Sequence, residues 1–79
     1  MAELQTTLHD IAAAIVDSPD EVKVIREEDD TTITLTLTVA PDDMGMVIGR
    51  HGRIAKAIRT VIKAASAECG KRVNVEIRD

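Results

Sequence analysis

At the centre of the chain stands the sequence Val47-Ile48-Gly49-Arg50-His51-Gly52-Arg53-Ile54-Ala55-Lys56-Ala57-Ile58. Two glycines three residues apart let the backbone turn sharply, because neither carries a side chain. The residues between and just after the glycines are basic, and the sequence that follows has the spacing of an amphipathic helix. A positively charged turn that leads into a helix N-terminus is suited to hold a phosphate group. The stretch therefore predicts an anion-binding turn at 49–52 between two helices.

A long helix is predicted after this turn, from about Arg53 to Glu68. Its apolar arc is predicted to face the core and comprises Ile54, Ala57, Ile58, Val61, Ile62 and Ala65. Its opposite arc is basic and comprises Arg53, Lys56, Arg59 and Lys63. Gly70 suits the position after a helix end. The alternation from Val73 to Ile77 predicts a final strand.

The sequence before the turn predicts a helix over residues 3–16, where apolar residues recur at helical spacing. Pro19 ends this helix, because proline cannot continue one. A short strand is expected over residues 22–26, followed by a turn at Glu27-Glu28-Asp29-Asp30. Four adjacent carboxylates can suggest a divalent-cation site, but they lack the ligand spacing and glycine of a calcium loop. A solvated hairpin turn is the favoured interpretation.

The clearest pattern of the chain comes next, where Ile33, Leu35, Leu37 and Val39 alternate with threonines. A period of two predicts a strand with one buried face. Ala40-Pro41 stops this strand, and Asp42 or Asp43 is expected to cap a short helix from Met44 to Ile48. The predicted order is therefore α-β-β-α-α-β, in a single α+β domain over residues 1–79.

Composition narrows the possible functions. The 79 residues include no Phe, Tyr or Trp, so the chain cannot stack bases on aromatic rings as RRM and OB-type domains do. The net charge of −4 is unevenly distributed. Residues 1–43 hold eleven acidic and two basic side chains, whereas residues 44–79 hold three acidic and eight basic ones. Such asymmetry indicates a nucleic-acid-binding face in the second half, although small domains often segregate charge without one.

Other classes of protein find little support in the sequence. His9 and His51 lie on different predicted elements without a nucleophile beside them, and Cys69 is expected to be a small, buried or half-buried side chain. The scattered histidines and cysteine do not make a zinc site. No phosphate-loop or dinucleotide spacing is present. We therefore expect no enzyme activity, no cofactor and no metal. The N-terminus lacks the pattern of a signal peptide, and the single cysteine fits a reducing cytoplasm.

The assembled order resembles a type II KH domain, a three-stranded sheet packed against three helices, with a Gly-x-x-Gly loop at 49–52. The fuller strings from Ala40 to Gly49 and from Gly52 to Thr60 are similar to the bacterial KhpA family, as is Gly70-Lys71-Arg72-Val73. The resemblance covers the whole chain. One departure concerns the residues between the glycines, where the family commonly has Lys and a polar residue but this chain has Arg50-His51. The positive charge is kept, and His51 is expected to add a pH dependence that the family pattern does not require.

The resemblance implies a cytoplasmic, single-stranded-RNA-binding protein or RNA chaperone, linked in some bacteria to cell elongation and division. It also implies a homodimer, or a heterodimer with a larger KH-containing protein of the KhpB type. Carried over position by position, Gly49 to Gly52 form the backbone clamp. The RNA-binding residues implied are Ile48, Gly49, Arg50, His51, Gly52, Arg53, Ala55 and Lys56. Ile58 is better explained as core, and Arg59 and Lys63 as a solvated helix face.

Two functions stay open at this stage, with an enzyme a remote third. The Gly-x-x-Gly surface either binds RNA or contacts protein in a dimerisation or scaffold module. Dimerisation is expected because so short a chain buries little surface on its own. The expected interface is the helix pair around Met44, Met46 and the helix from Arg53, because the methionines are poorly explained by the core pattern.

Overall fold

The computed structural model describes residues 4–67 and 70–79 of the chain. Its helices and strands follow the predicted order α-β-β-α-α-β. Their bounds are α1 Leu4–Ile15, β1 Lys23–Glu28, β2 Thr32–Thr38, α2 Met44–Ile48, α3 Arg53–Ala65 and β3 Arg72–Arg78. Short 3-10 turns lie at Pro19–Glu21, Pro41–Asp43 and Arg50–Gly52.

The sheet is mixed, and β2 is its central strand. β2 pairs antiparallel with β1 and parallel with β3, so that Leu35 lies between Arg26 and Val75. Parallel neighbours require the chain to return to the same end of the sheet before the second strand begins. The segment between β2 and β3 makes this return through α2 and α3. The turn at 49–52 is therefore held between two helices that are themselves anchored to neighbouring strands.

The core lies between one face of the sheet and the helices. Ile33, Leu35 and Leu37 of β2 are buried, whereas the threonines that alternate with them are half-buried on the other face. The threonine alternation therefore predicts the strand and its buried face correctly. Leu8 of α1 and Ile62 of α3 are fully buried in the same cluster. The aliphatic residues thus fill the core without any aromatic ring.

The connection between β1 and β2 is shorter than the sequence predicts. β1 continues to Glu28, so the first half of the turn expected at Glu27–Asp30 belongs to the strand instead. Glu27 pairs with Thr34 of β2, and Glu28 pairs with Ile33. Pairing with a neighbouring strand outweighs the weak β propensity of glutamate.

Asp29 closes this shorter turn with its own side chain. Its carboxylate accepts hydrogen bonds from the backbone N–H groups of Thr31 at 2.8 Å and Thr32 at 2.7 Å. These bonds lower the pKa of Asp29. The Glu28 carboxylate binds the Lys71 ammonium, and this contact lowers the pKa of Glu28. The described residues contain no cluster of three or more His, Cys, Asp or Glu side chains that could hold a metal ion.

The helix α3 ends at Ala65, earlier than the predicted end at Glu68. Glu68 and Cys69, including the expectation that the cysteine is buried, lie outside the described residues. Within those residues, no helix has both the length and the hydropathy needed to cross a bilayer.

The prediction that the whole apolar arc of α3 faces the core is wrong for one side of the arc. Ile58 and Ile62 are buried as expected, and Ala55 is buried with them. Ile54 and Val61 are exposed instead, as are Ala57 and Ala65 on the same arc. Only one narrow face of this helix is buried against the rest of the fold, so the other side of the arc faces solvent. We call Ile54, Ala57 and Val61, which follow one another at helical spacing, the α3 apolar stripe.

Candidate nucleic-acid interface

The turn between α2 and α3 has an unusual backbone at three of its four residues. Gly49 adopts φ 71° and ψ −179°, and Gly52 adopts φ 74° and ψ 15°. His51 lies between them at φ 55° and ψ 25°, and among the described residues it is the one non-glycine with a positive φ. Residues with side chains seldom adopt such angles, which concentrate at functional sites. The positions of the two glycines in the sequence therefore have a direct conformational cause.

The two glycines are required for different reasons. A Cβ atom on Gly49 would lie 2.4 Å from Cγ1 and 3.1 Å from the backbone nitrogen of Ile54. A Cβ atom on Gly52 would meet nothing within 4 Å. The first glycine thus lets the turn pack against α3, whereas the second sits beside open space. An incoming chain can approach the backbone of Gly52 without meeting a side chain there.

Backbone hydrogen bonds fix the turn between the two helices. The N–H group of Gly49 donates to the carbonyl of Gly45 at 2.8 Å and so completes α2. The N–H group of Arg53 donates to the carbonyl of Arg50, where α3 begins. No side chain caps the N-terminus of α3, because the capping position is Gly52 itself. The positive end of the helix dipole is therefore left without an anionic partner in the turn.

The basic side chains around the turn are exposed and have no bonding partner among the described residues. Arg50, His51, Arg53 and Lys56 all have exposed side chains. Across residues 4–67 and 70–79, these four side chains form no hydrogen bond and no ion pair. Two arginines, a lysine and an imidazole thus lie together near the start of α3, and no carboxylate in the described part of the chain pairs with them. Such an arrangement attracts an anion from outside the chain.

The apolar residues predicted for the site have different positions. Ile48 is 39% exposed at the end of α2 and can offer aliphatic surface to a ligand. Ala55 is only 5% exposed, so its side chain faces the core, although the resemblance implies Ala55 as an RNA-binding residue. The reason is that Ala55 lies on the same helix face as Ile58 and Ile62. Ile58 is core, as the sequence analysis favours.

Arg59 has a structural contact that the sequence analysis did not anticipate. Its Nε atom donates to the carbonyl oxygen of Val75 at 3.4 Å, across the gap between α3 and the outer strand β3. Arg59 is exposed, as expected for a solvated helix face, and this bond adds a contact with the edge of the sheet. Lys63, one turn further along, is exposed.

Asp43 stands at the N-cap position of α2, as the sequence predicts, but its side chain binds a different part of the chain. It occupies the N-cap position of α2, but its side chain makes no capping bond there. Its carboxylate is buried, with 3% of the residue exposed, and accepts hydrogen bonds from the N–H groups of Asp17 at 3.4 Å and Ser18 at 3.1 Å. The segment after α1 is thereby tied to the start of α2. No local pattern in the sequence reveals a contact between residues so far apart.

Comparison with known proteins identifies a family for this chain. The family model described as "KhpA/KhpB, KH domain" matches residues 5–77. The chain is 57% identical over 74 residues to the RNA-binding protein KhpA of Clostridium acetobutylicum, covering 94% of this chain and 99% of the relative. It is 47% identical over 76 residues to the RNA-binding protein KhpA of Bacillus subtilis, covering 96% of this chain and 94% of that protein.

The fold is similar to part of a larger protein of known structure. A crystal structure of Era in complex with MgGDPNP and nucleotides 1506–1542 of 16S ribosomal RNA superposes with a TM-score of 0.70 at 16% identity. The match covers 95% of this chain but only 29% of the Era chain. At this level of identity the likeness concerns the fold, the α-β-β-α-α-β arrangement of a KH domain. With the family model spanning nearly all of its length, the chain belongs to the KhpA/KhpB KH-domain family, which is not a family of enzymes.

Proposed function

We propose that this protein binds single-stranded RNA with the turn at 49–52 as a backbone clamp. One observation carries the proposal: four basic side chains surround an open glycine turn and have no partner among the described residues. The relatives are named RNA-binding proteins, which fits a polyanion as the missing partner. KH domains use a Gly-x-x-Gly loop to clamp about four nucleotides of backbone.

The proposed contacts with RNA differ in their chemistry from residue to residue. Arg50, Arg53 and Lys56 supply positive charge for phosphates, and His51 supplies N–H donors beside them. The backbone of Gly49 and Gly52 lets the strand come close. Ile48 supplies aliphatic surface to the bases, while the buried Ala55 supports the first turn of α3 from beneath. One KH domain over residues 1–79 carries the whole site.

The test is titration of short single-stranded RNA with the purified protein over a range of salt concentrations. Contacts to about two to four phosphates give a log–log salt slope of roughly −1.4 to −2.8. Duplex DNA of the same length should bind more weakly, because the clamp holds a single strand. A slope near zero, or equal affinity for the duplex, would refute the proposal. If the proposal holds, crosslinking in cells followed by sequencing would identify the target RNAs. We propose that the protein meets these RNAs in the cytoplasm.

A second surface favours a protein partner, and we propose that a second copy of the chain occupies it. The α3 apolar stripe is exposed, with Val61 48% accessible to solvent. Met46 of the neighbouring helix α2 is exposed as well, whereas Met44 packs against the core and is removed from the interface expected from sequence. A two-fold dimer is the commonest small assembly, and burying this stripe stabilises it by roughly 25 cal/mol per Å² before association costs.

The dimer is tested by introducing a charge into the stripe. Val61→Asp should lower the mass seen in analytical ultracentrifugation to that of a monomer, because an unpaired carboxylate in an apolar contact is costly. Thr60→Asp is the matched control, since Thr60 is exposed on the same helix but lies outside the stripe. A wild-type protein that stays monomeric at high micromolar concentration would refute the dimer.

The relation between dimer and RNA follows from the same sedimentation experiment with RNA added. Ile54 belongs to the stripe and also packs against Gly49, so the two surfaces adjoin. RNA that dissociates the dimer would mean that they overlap, whereas tighter binding on dimerisation would mean that two clamps act together. A larger KH-containing protein of the KhpB type is the proposed alternative partner for the stripe. RNA-chaperone activity and a role in cell elongation or division are proposed on the family resemblance alone.

A further inference from the structure

His51 is unusual in both its backbone and its surroundings. Its φ of 55° lies in the left-handed region, where histidine, asparagine and aspartate are several-fold enriched over other side chains. The imidazole is exposed and forms no hydrogen bond with the rest of the described chain. Both of its ring nitrogens therefore face solvent or an incoming ligand.

The charged residues of the turn at 49–52 and of the two helices beside it are all basic. The elements that pack most closely against the 50–52 turn are α2 and α3. The sequence of α2 contains no ionisable residue, and the ionisable residues of α3 are Arg53, Lys56, Arg59 and Lys63. The turn itself adds Arg50. Within the described residues, α2, α3 and the turn itself therefore contain no carboxylate that could pair with a protonated imidazole.

On the basis of the RNA-binding function proposed above, we infer that His51 is a phosphate contact whose strength depends on its protonation. A neutral imidazole offers one N–H donor, whereas the protonated ring offers two donors and a positive charge. Imidazole is the side chain whose charge ordinarily changes between about pH 5 and pH 8. A bound phosphate supplies the anion that the turn lacks, so RNA binding and proton uptake at His51 favour each other.

The expected effect follows from adding one ionic contact to a single-stranded complex. The affinity for RNA should rise about threefold to tenfold as the pH falls from about 8 to about 5.5. Over the same range the log–log salt slope should become steeper by about 0.7, the contribution of one further phosphate contact on a single strand. Arginine and lysine side chains ordinarily titrate well above this range, so we assign the binding that does not depend on pH to Arg50, Arg53 and Lys56.

The experiment measures fluorescence anisotropy of a labelled oligouridylate of about eight nucleotides at constant ionic strength. Uracil does not titrate in this pH range, so protons taken up belong to the protein. His51→Asn keeps a residue that tolerates the left-handed conformation but cannot be protonated, and His51→Lys keeps a permanent charge. His9→Asn is the matched control, because His9 lies on α1 and interacts only with Asp10 among the described residues.

We expect the wild type and His9→Asn to bind more tightly at low pH. His51→Asn should bind at the high-pH level of the wild type throughout, and His51→Lys should bind tightly throughout. An increase that survives in His51→Asn, or a wild type that binds RNA equally at all pH values, would overturn this inference and leave the RNA-binding proposal intact. A wild type that binds no RNA at any pH would overturn both. Circular dichroism checks that each variant is folded.

Discussion

Two charged turns of this molecule differ in how their charges are used. The turn that links β1 to β2 is acidic, and the Asp29 carboxylate accepts hydrogen bonds from the backbone N–H groups of Thr31 at 2.8 Å and Thr32 at 2.7 Å. Lys71 reaches the same turn, binding the Glu28 carboxylate and donating to the carbonyl of Asp29 at 2.9 Å. The turn at 49–52 is basic, and its side chains have no partner among the described residues.

The difference separates charges that stabilise the fold from charges available to a ligand. A carboxylate that is hydrogen-bonded in the folded state contributes to the free energy of unfolding. A cation without a partner contributes nothing comparable, and several cations side by side repel one another. The backbone of the two turns differs as well, because the basic turn contains three residues with positive φ, a conformation that concentrates at functional sites. We interpret the basic turn as shaped for an external partner and the acidic turn as shaped for the chain itself.

The largest expected effect is the loss of RNA binding when the basic turn is made acidic. Replacing both Arg50 and His51 by Asp should reduce RNA affinity about a hundredfold or more, because two carboxylates would face the phosphates. Aspartate tolerates the left-handed conformation of residue 51, so the fold should persist. Lys23→Asp, on the exposed start of β1, is the control for most of the added negative charge, because it lowers the net charge by two where the double variant lowers it by three. A folded double variant that binds RNA normally would show that the clamp is elsewhere.

Stability should respond differently to the two glycines of the basic turn. Gly49→Ala should lower the free energy of unfolding by about 3 kcal/mol, because the added Cβ meets Ile54 and the backbone angles suit glycine alone. Gly52→Ala should cost only about 1 kcal/mol, the price of a left-handed alanine in open space. Urea denaturation followed by circular dichroism measures both. Equal losses would contradict the assignment of packing to the first glycine and access to the second.

The RNA affinity of variants at Gly52 tests whether the strand approaches the open side of this glycine. In Gly52→Ala the new methyl group would lie where the strand is proposed to approach, so binding should weaken although the fold is kept. Gly52→Asn is a useful companion, since asparagine tolerates the left-handed conformation but adds a larger side chain. If Gly52→Asn binds RNA as tightly as the wild type, the open side of Gly52 is not the route of approach.

Local patterns in the sequence were sufficient for most of the fold. The alternation of Ile33, Leu35 and Leu37 with threonines depends only on the period of a strand, and the structure buries the same three residues. The bounds of α2 are as predicted, and the two glycines mark the turn because the conformations there require them. The positions of Arg53 and Lys56 on an exposed arc also follow from helical spacing.

The errors concern contacts between distant parts of the chain. The sequence cannot show how much of α3 the sheet covers, so Ile54 and Val61 were assigned to a core that does not reach them. The length of β1 depends on its partner strand, and Asp43 acts on residues after α1 rather than on its own helix. Each of these is decided by tertiary packing, which overrides local propensity.

The smallest expected effect concerns the acidic turn and appears only on acidification. The pKa of Asp29 is lowered by the hydrogen bonds from Thr31 and Thr32, so its carboxylate is more acidic in the folded than in the unfolded state. Its contribution to stability is therefore complete at neutral pH, above the unfolded pKa, and is lost as the pH falls through the lowered pKa of the folded state. Asp29→Asn removes this dependence, because an amide does not titrate in that range.

Melting temperatures of the wild type and Asp29→Asn, taken at one protein concentration over a series of pH values, measure this contribution. The wild type should melt at the higher temperature at neutral pH, and the difference should shrink as the pH falls below about 4. Asp30→Asn removes a charge from the same turn, where the Asp30 carboxylate makes no hydrogen bond with the described residues, and should change the curve less. RNA affinity at neutral pH should be the same in both variants as in the wild type, since the acidic turn serves the fold.

Two outcomes would contradict this prediction. A constant difference in melting temperature between wild type and Asp29→Asn at every pH would mean that the charge of Asp29 adds nothing to its hydrogen bonds. A change in RNA affinity would mean that the two turns do not have separate roles.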